Sequence, residues 1–308
     1  MLRRILVATL VTALAGCGEA GAAEWRSLRP ATLERTEVAA ARIGTHVYVA
    51  GGYVPGGRTT AAVERYDLRA NRWRRVRSMP VALNHAAIAV HRGKLYVIGG
   101  YLDGNRATKG LLRYDPARNR WTRLRDMPTA RAALTAGVIG DRLYAAGGAA
   151  GGRAMTTLEI YDFRNGRWSA GPPMAVAREH LAGAVSGRAF YVLAGRSDAG
   201  NFTVAERYVN GRWEQLPDMR KSRGGTAAAT LADGRIVIAG GEESAGTIRE
   251  VELYDPRTER WGALPDMPTP RHGLGVVASG NDVYTIEGGP QPGFAFSSAI
   301  ETLKVPPR

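Results

Sequence analysis

A short phrase recurs along this chain at nearly constant spacing. One copy reads Leu95-Tyr96-Val97-Ile98-Gly99-Gly100, then Tyr114-Asp115, Trp121 and Met127-Pro128. Its glycine marker falls at Gly51, Gly99, Gly147, Gly195, Gly240 and Gly288, at intervals of 48, 48, 48, 45 and 48 residues. Self-similarity of that period restricts the chain to an array of like units that bury their apolar faces against one another. The array leaves no room for a second domain within 308 residues, and a hydrophobic content of 44% suffices for a core.

Each part of the phrase has a physical task. The run before the glycines is short and rich in Val, Ile and Tyr, as a strand buried on both faces requires. The Gly pair permits positive φ and lets neighbouring backbone approach closely. Tyr-Asp ends another strand, and Asp followed by Pro, Arg or Asn favours a turn. The Trp covers a large apolar area. Met-Pro closes the unit, because proline cannot donate to a central ladder.

These residues resemble the kelch repeat, whose units are four-stranded blades of a β-propeller. The resemblance spans about nine-tenths of the chain. It implies an all-β, six-bladed kelch-type β-propeller over residues 24–308. Arg196 stands where the fourth copy would carry its second glycine, Val209 replaces that copy's aspartate, and Leu303-Lys304 replace Tyr-Asp in the sixth. Trp25 lies 48 residues before Trp73 without a Gly-Gly ahead of it, and the last repeat has no final Trp. The strand around Trp25 is therefore expected to complete blade six, closing the ring and removing open edges.

Residues 1–17 read as an export signal. Arg3 and Arg4 precede an apolar run from Ile5 to Ala13, too short to span a bilayer stably. Leu14-Ala15-Gly16-Cys17 resembles a bacterial lipobox, which implies cleavage before Cys17 and lipidation of its thiol. An ordinary signal cut after Ala22 or Ala23 is the alternative. Cys17 is the only cysteine, so the chain can form no internal disulfide. Residues 18–23 form a short tether. Gly18 after the cysteine favours the outer membrane, facing the periplasm or the cell surface. The formal charge of +14 falls to +12 once Arg3 and Arg4 are removed.

Kelch blades start their first strand, and place the loop after the Gly pair, on one rim. That rim is where site residues are expected. Arg35, Arg131, Arg178, Arg223 and Arg271 stand at first-strand starts, whereas blade two has Leu83-Asn84-His85. They read either as an incomplete guanidinium ring that grips an anion at the channel mouth or as repeated scaffolding. Glu64, Glu159, Glu206, Glu252 and Glu301 recur in third strands and are expected to bond neighbouring strands or answer the arginines. Arg178-Glu179-His180 is the densest polar cluster and the best candidate for chemistry. His85, His180 and His272 fall in alternate blades, but at different offsets from the markers, and no metal site is expected. Phe294 and Phe296 sit in an apolar tip, either a stacking surface or packing onto blade six.

Catalytic signatures are missing from the sequence. Galactose oxidase carries its copper on a kelch propeller, but that site needs a cysteine joined to a tyrosine, and Cys17 lies outside the blades. No phosphate-cradling or nucleophile-elbow motif occurs. The arginines are spread rather than interleaved with aromatics in one groove, which argues against nucleic acid. The leading expectation is a monomeric, cofactor-free, envelope-anchored binding module for a partner protein or an acidic ligand. The alternative is an enzyme on acidic carbohydrate. Bacterial sialate mutarotases are similar in being exported six-bladed kelch propellers, and Arg178, Glu179 and His180 would then supply the carboxylate clamp and the base.

Overall fold

Alternation of buried and half-exposed residues builds each blade from four antiparallel strands that meander outward from the axis. In the computed structural model, which describes residues 23–308, blade one comprises Ala39–Ile43, His46–Ala50, Val63–Asp67 and Arg72–Val76. Six such four-stranded sheets are present among the described residues, each in the order first, second, third, fourth from the axis. The lipobox, Cys17 and most of the tether lie outside the described residues.

The first strands pack side by side in a closed ring around the axis, running from blade one through blade six and back to blade one. The ring closes as the sequence predicts. Trp25–Ser27 pairs antiparallel with Ile300–Lys304, with Trp25 opposite Leu303 and Ser27 opposite Glu301.

Two parts of the repeated phrase join the blades. The N–H of the second residue of each glycine marker donates to the carbonyl that opens the next blade: Gly52 to Leu83, Gly100 to Arg131, Gly148 to Arg178, Gly195 to Arg223, Gly241 to Arg271 and Gly288 to Arg35. This approach is so close that a Cβ on Gly99, whose φ is +63°, would collide with the Arg131 carbonyl. Each Trp then reaches backward. Its indole N–H donates to a carbonyl just past the preceding blade's outer strand, as Trp73 does to Arg29 and Trp121 to Arg77, both at 2.8 Å. Trp25 makes the same bond to Pro265, which carries the pattern across the closing seam.

The structural register corrects one reading of the sequence. In blade four the positive-φ pair is Ala194-Gly195, and in blade six it is Glu287-Gly288. Arg196 therefore does not replace a glycine. It occupies the position held by Tyr53, Tyr101, Ala149 and Glu242 elsewhere, immediately after the pair, where a side chain faces the channel mouth.

Candidate functional site

The five first-strand arginines lie inside the blades and are fully buried. Each pairs with the third-strand glutamate of its own blade. Arg131 meets Glu159 at 2.6 Å, Arg223 meets Glu252 at 2.7 Å, Arg271 meets Glu301 at 2.7 Å, and Arg178 bonds Glu206. Arg35 pairs with Glu64 at 3.1 Å and reaches across the closing seam to Glu287 at 2.8 Å. Their Nη groups also donate to backbone carbonyls, those of Arg178 to Ala194 and Val204. A guanidinium ring open to an anion at the channel mouth is not what these residues form. Burial pushes Arg131, Arg178, Arg223 and Arg271 down from their ordinary values while the carboxylates oppose it.

The mouth itself is built by the two residues that follow each of these arginines, and by the two that follow Leu83 in blade two. The first of them forms an antiparallel bridge to the residue after the glycine pair: Thr36 to Tyr53, Asn84 to Tyr101, Ala132 to Ala149, Glu179 to Arg196, Gly224 to Glu242 and His272 to Gly289. The second always takes left-handed backbone: Glu37, His85, Ala133, His180, Gly225 and Gly273, with φ between 50° and 67°. A belt of backbone bonds links these second residues around the axis. His85 N–H donates to Glu37, Ala133 to His85, His180 to Ala133, Gly225 to His180 and Gly273 to Gly225. Left-handed backbone is costly for Glu and His, and such strain clusters at functional sites.

On this belt the side chains of Glu37, His85 and His180 converge, and His272 joins them from the bridging position before Gly273. Glu37 faces His85 Nε2 and His272 Nδ1, each at 3.2 Å, from its two carboxylate oxygens. The rings of His85 and His180 stand edge to face, 4.7 Å between centroids. His180 Nδ1 contacts Glu179, whose other oxygen accepts from Arg196 Nε at 2.9 Å. Arg196 Nη1 continues to Glu242 at 2.7 Å. Of the residues expected at the rim, Glu179 and His180 are therefore at the site. Arg35, Arg131, Arg178, Arg223 and Arg271 are not.

The environment sets the charges. Burial pushes Glu37 up, but the neighbouring histidines outweigh it and hold the carboxyl well below its usual range. Burial takes His85 down to about 4, which leaves it neutral. His272 is raised, because the Glu37 bond and charge exceed its desolvation. The desolvation of Glu179 is likewise outweighed, by His180 and Arg196, and its carboxyl is lowered.

One side of the mouth is aromatic. Tyr53 and Tyr101 stand edge-on to His85 at 5.8 and 5.6 Å, and Phe294 packs edge-on against Tyr53 at 5.2 Å. Phe294 is 68% exposed, so the tip of the blade-six loop lies over the mouth rather than within its own blade. Together the charged and aromatic sides enclose a cavity of about 470 Å³. Glu37 escaped notice in the sequence because it is a lone acid two residues past an arginine. The signal that finds it is positional: the same slot holds His85 and His180 in other blades.

Comparison with known proteins agrees with this architecture. Residues 37–223 match the model of the KLHDC2/KLHL20/DRC7 Kelch-repeats domain, and residues 223–268 match that of the Kelch motif. An F-box/kelch-repeat protein of Arabidopsis thaliana is 44% identical over 54 residues, 17% of this chain and 13% of that protein. Beta-scruin of Limulus polyphemus is 29% identical over 94 residues, 30% of this chain and 10% of its own length. A galactose oxidase of Gibberella zeae is 33% identical over 76 residues, 24% of this chain and 11% of the enzyme. The matched stretches thus span about a tenth of these relatives.

Proposed function

This chain belongs to the kelch-repeat family, and on that premise we propose that it is a binding module that holds a partner protein at its loop-rich rim. One observation carries the reading: a cavity of about 470 Å³, lined by both aromatic and charged side chains, lies where the blade-opening residues and the post-glycine loops meet. Loops on a rigid scaffold are where a propeller carries individual recognition. The carboxylates of Glu37 and Glu242 line the cavity beside Arg196 and His272, and Arg196 is already tied to Glu179 and Glu242. That balance favours a partner side chain with a polar or cationic end, seated against Tyr53, Tyr101 and Phe294. The acidic ligand expected from the arginine ring loses its support, since those guanidiniums are spent inside the blades. The test is capture of envelope components by wild-type protein and by a Tyr101→Ala/Phe294→Ala variant. A component retained by the first and lost by the second supports the module; equal retention removes the cavity from the reading.

A second reading rests on the Glu179–His180 contact beside Arg196. Such a dyad performs proton transfer on a bound sugar acid, with Arg196 in the role first assigned to Arg178. Turnover of sialic or uronic acids that disappears in Glu179→Ala while binding persists distinguishes an enzyme from a module.

The module works tethered to the envelope through lipidated Cys17. Support comes from the lipobox and from charge. Residues 24–126 hold 20 Lys and Arg against 8 Asp and Glu, a net of +12, whereas residues 127–308 hold 20 against 19. The described chain begins beside Trp25, within this basic stretch, where Arg26, Arg29, Arg72, Arg74, Arg75 and Arg77 are all exposed. Five residues lie between Cys17 and Ala23, a reach of at most about 22 Å. The basic blades would therefore sit beside anionic headgroups.

A further inference from the structure

We propose that Glu37, His85 and His180 form a site for one divalent transition-metal ion on the propeller axis, at the floor of the mouth cavity. Each offers a ligand atom, and these atoms lie within 4.8 Å of one another. The inference goes beyond partner binding and does not depend on it.

The side chains behind the histidines support the assignment. His85 Nδ1 lies 2.6 Å from Asn84 Oδ1, and His180 Nδ1 contacts a carboxylate oxygen of Glu179. Both acceptors hold the ring proton on Nδ1 and present Nε2 as a lone pair. This is the backing by which metal-ligating imidazoles are fixed in tautomer and direction. With its proton on Nδ1, His85 turns the Nε2 lone pair toward a Glu37 oxygen 3.2 Å away. Two acceptors facing each other at that separation are reconciled by a cation between them. The second Glu37 oxygen stays with His272, so the carboxylate is itself held in place.

The rest of the belt leaves room. Blades three, five and six contribute Ala133, Gly225 and Gly273 at the equivalent positions. A Cβ on Gly273 would stand 2.6 Å from Glu37 Oε1, so this glycine preserves the carboxylate's place. Arg196 Nη2 lies 3.2 Å from His180 Nε2 and must yield that contact on metal binding, retaining its bonds to Glu179 and Glu242. Two imidazoles and one carboxylate suit zinc, cobalt or nickel, with the remaining coordination position open to the cavity.

The experiment uses detergent-purified full-length chain, stripped with chelator, then titrated with Co²⁺ by visible absorption and with Zn²⁺ by calorimetry. One equivalent of each is expected, with zinc displacing cobalt. His85→Ala and His180→Ala abolish the cobalt band. Asn84→Ala, which removes only the backing acceptor, weakens binding by about ten- to a hundredfold. His91→Ala, outside the cluster, leaves it unchanged. In wild-type protein the ring-nitrogen resonances of His85 and His180 shift on zinc addition, a readout independent of whether the variants fold. No saturable binding, stationary ring nitrogens, or a cobalt band that survives His85→Ala in folded protein overturns the site.

Discussion

Arg178 shows how this fold disposes of charge. It is completely buried, and its Nη groups bond Glu206 and two carbonyls. Removing one member of such a pair leaves a buried charge uncompensated, at a cost of about 3–5 kcal/mol. Arg178→Met should therefore lower the unfolding midpoint markedly. Adding Glu206→Leu should recover much of the loss, a double-mutant result readable by denaturant unfolding. Blade two is a natural precedent, since Leu83 stands in the arginine slot and Leu112 in the glutamate slot. That joint absence was legible in the sequence and marks the pair as scaffolding, because a ligand-binding arginine has no reason to vanish together with a third-strand acid. Arg196 was legible only as an anomaly. The one-residue shift to Ala194-Gly195, which turns its side chain to the mouth, follows from backbone φ that the spacing alone does not reveal. The convergence of His85 and His180 with Glu37 was hidden for the same reason: all three stand 14 residues before their positive-φ pairs once blade four's pair is placed at Ala194-Gly195, whereas His272 sits in the neighbouring slot and reaches Glu37 from there.

At the scale of strands, the Tyr, Trp and Met of the phrase act where the sequence placed them. Tyr66, Tyr114 and Tyr254 are buried in third strands beside Trp73, Trp121 and Trp261, and burial pushes their phenols up to about 12. A raised folded-state value gives stability that is complete below the unfolded value near 10 and is lost as pH rises toward 12. Phenolate absorbance should thus lag behind that of the denatured chain over this window, and stability should fall across it. Simultaneous ionisation in both states would contradict the burial argument. The strand Trp25–Ser27 makes a sharper test. Deleting residues 24–29 exposes the Ile300–Lys304 edge and removes the Trp25–Pro265 clip. Exposed edges recruit other chains, so light scattering should show concentration-dependent association that the intact ring lacks. The meandering blades and their closure were readable from period alone, since each unit must bury both faces. The short hairpins after the glycine pairs of blades one to five, such as Tyr53–Val54 with Arg58–Thr59, and the loop carrying Phe294 were not, because their sequences differ from blade to blade.

For the molecule as a whole, the basic stretch 24–126 begins at the strand Trp25–Ser27, and the cavity opens on the axis. The chain from Gly18 onward should bind vesicles rich in phosphatidylglycerol and leave phosphatidylcholine vesicles alone. Binding should fall as salt shortens the Debye length, and further with Arg72→Glu/Arg74→Glu/Arg75→Glu. Cys17→Ser should move the protein from the membrane to the soluble fraction without altering its unfolding. The most direct test of the rim as a binding surface is photo-crosslinking in the envelope. A photoreactive residue is placed at Phe294, over the mouth, or at Arg188, in the turn between Ala182–Ser186 and Ala189–Leu193. The account predicts a discrete protein adduct at position 294, lost with Tyr101→Ala, and none at 188. Adducts at 188 alone, or the same adduct at both positions, would contradict it.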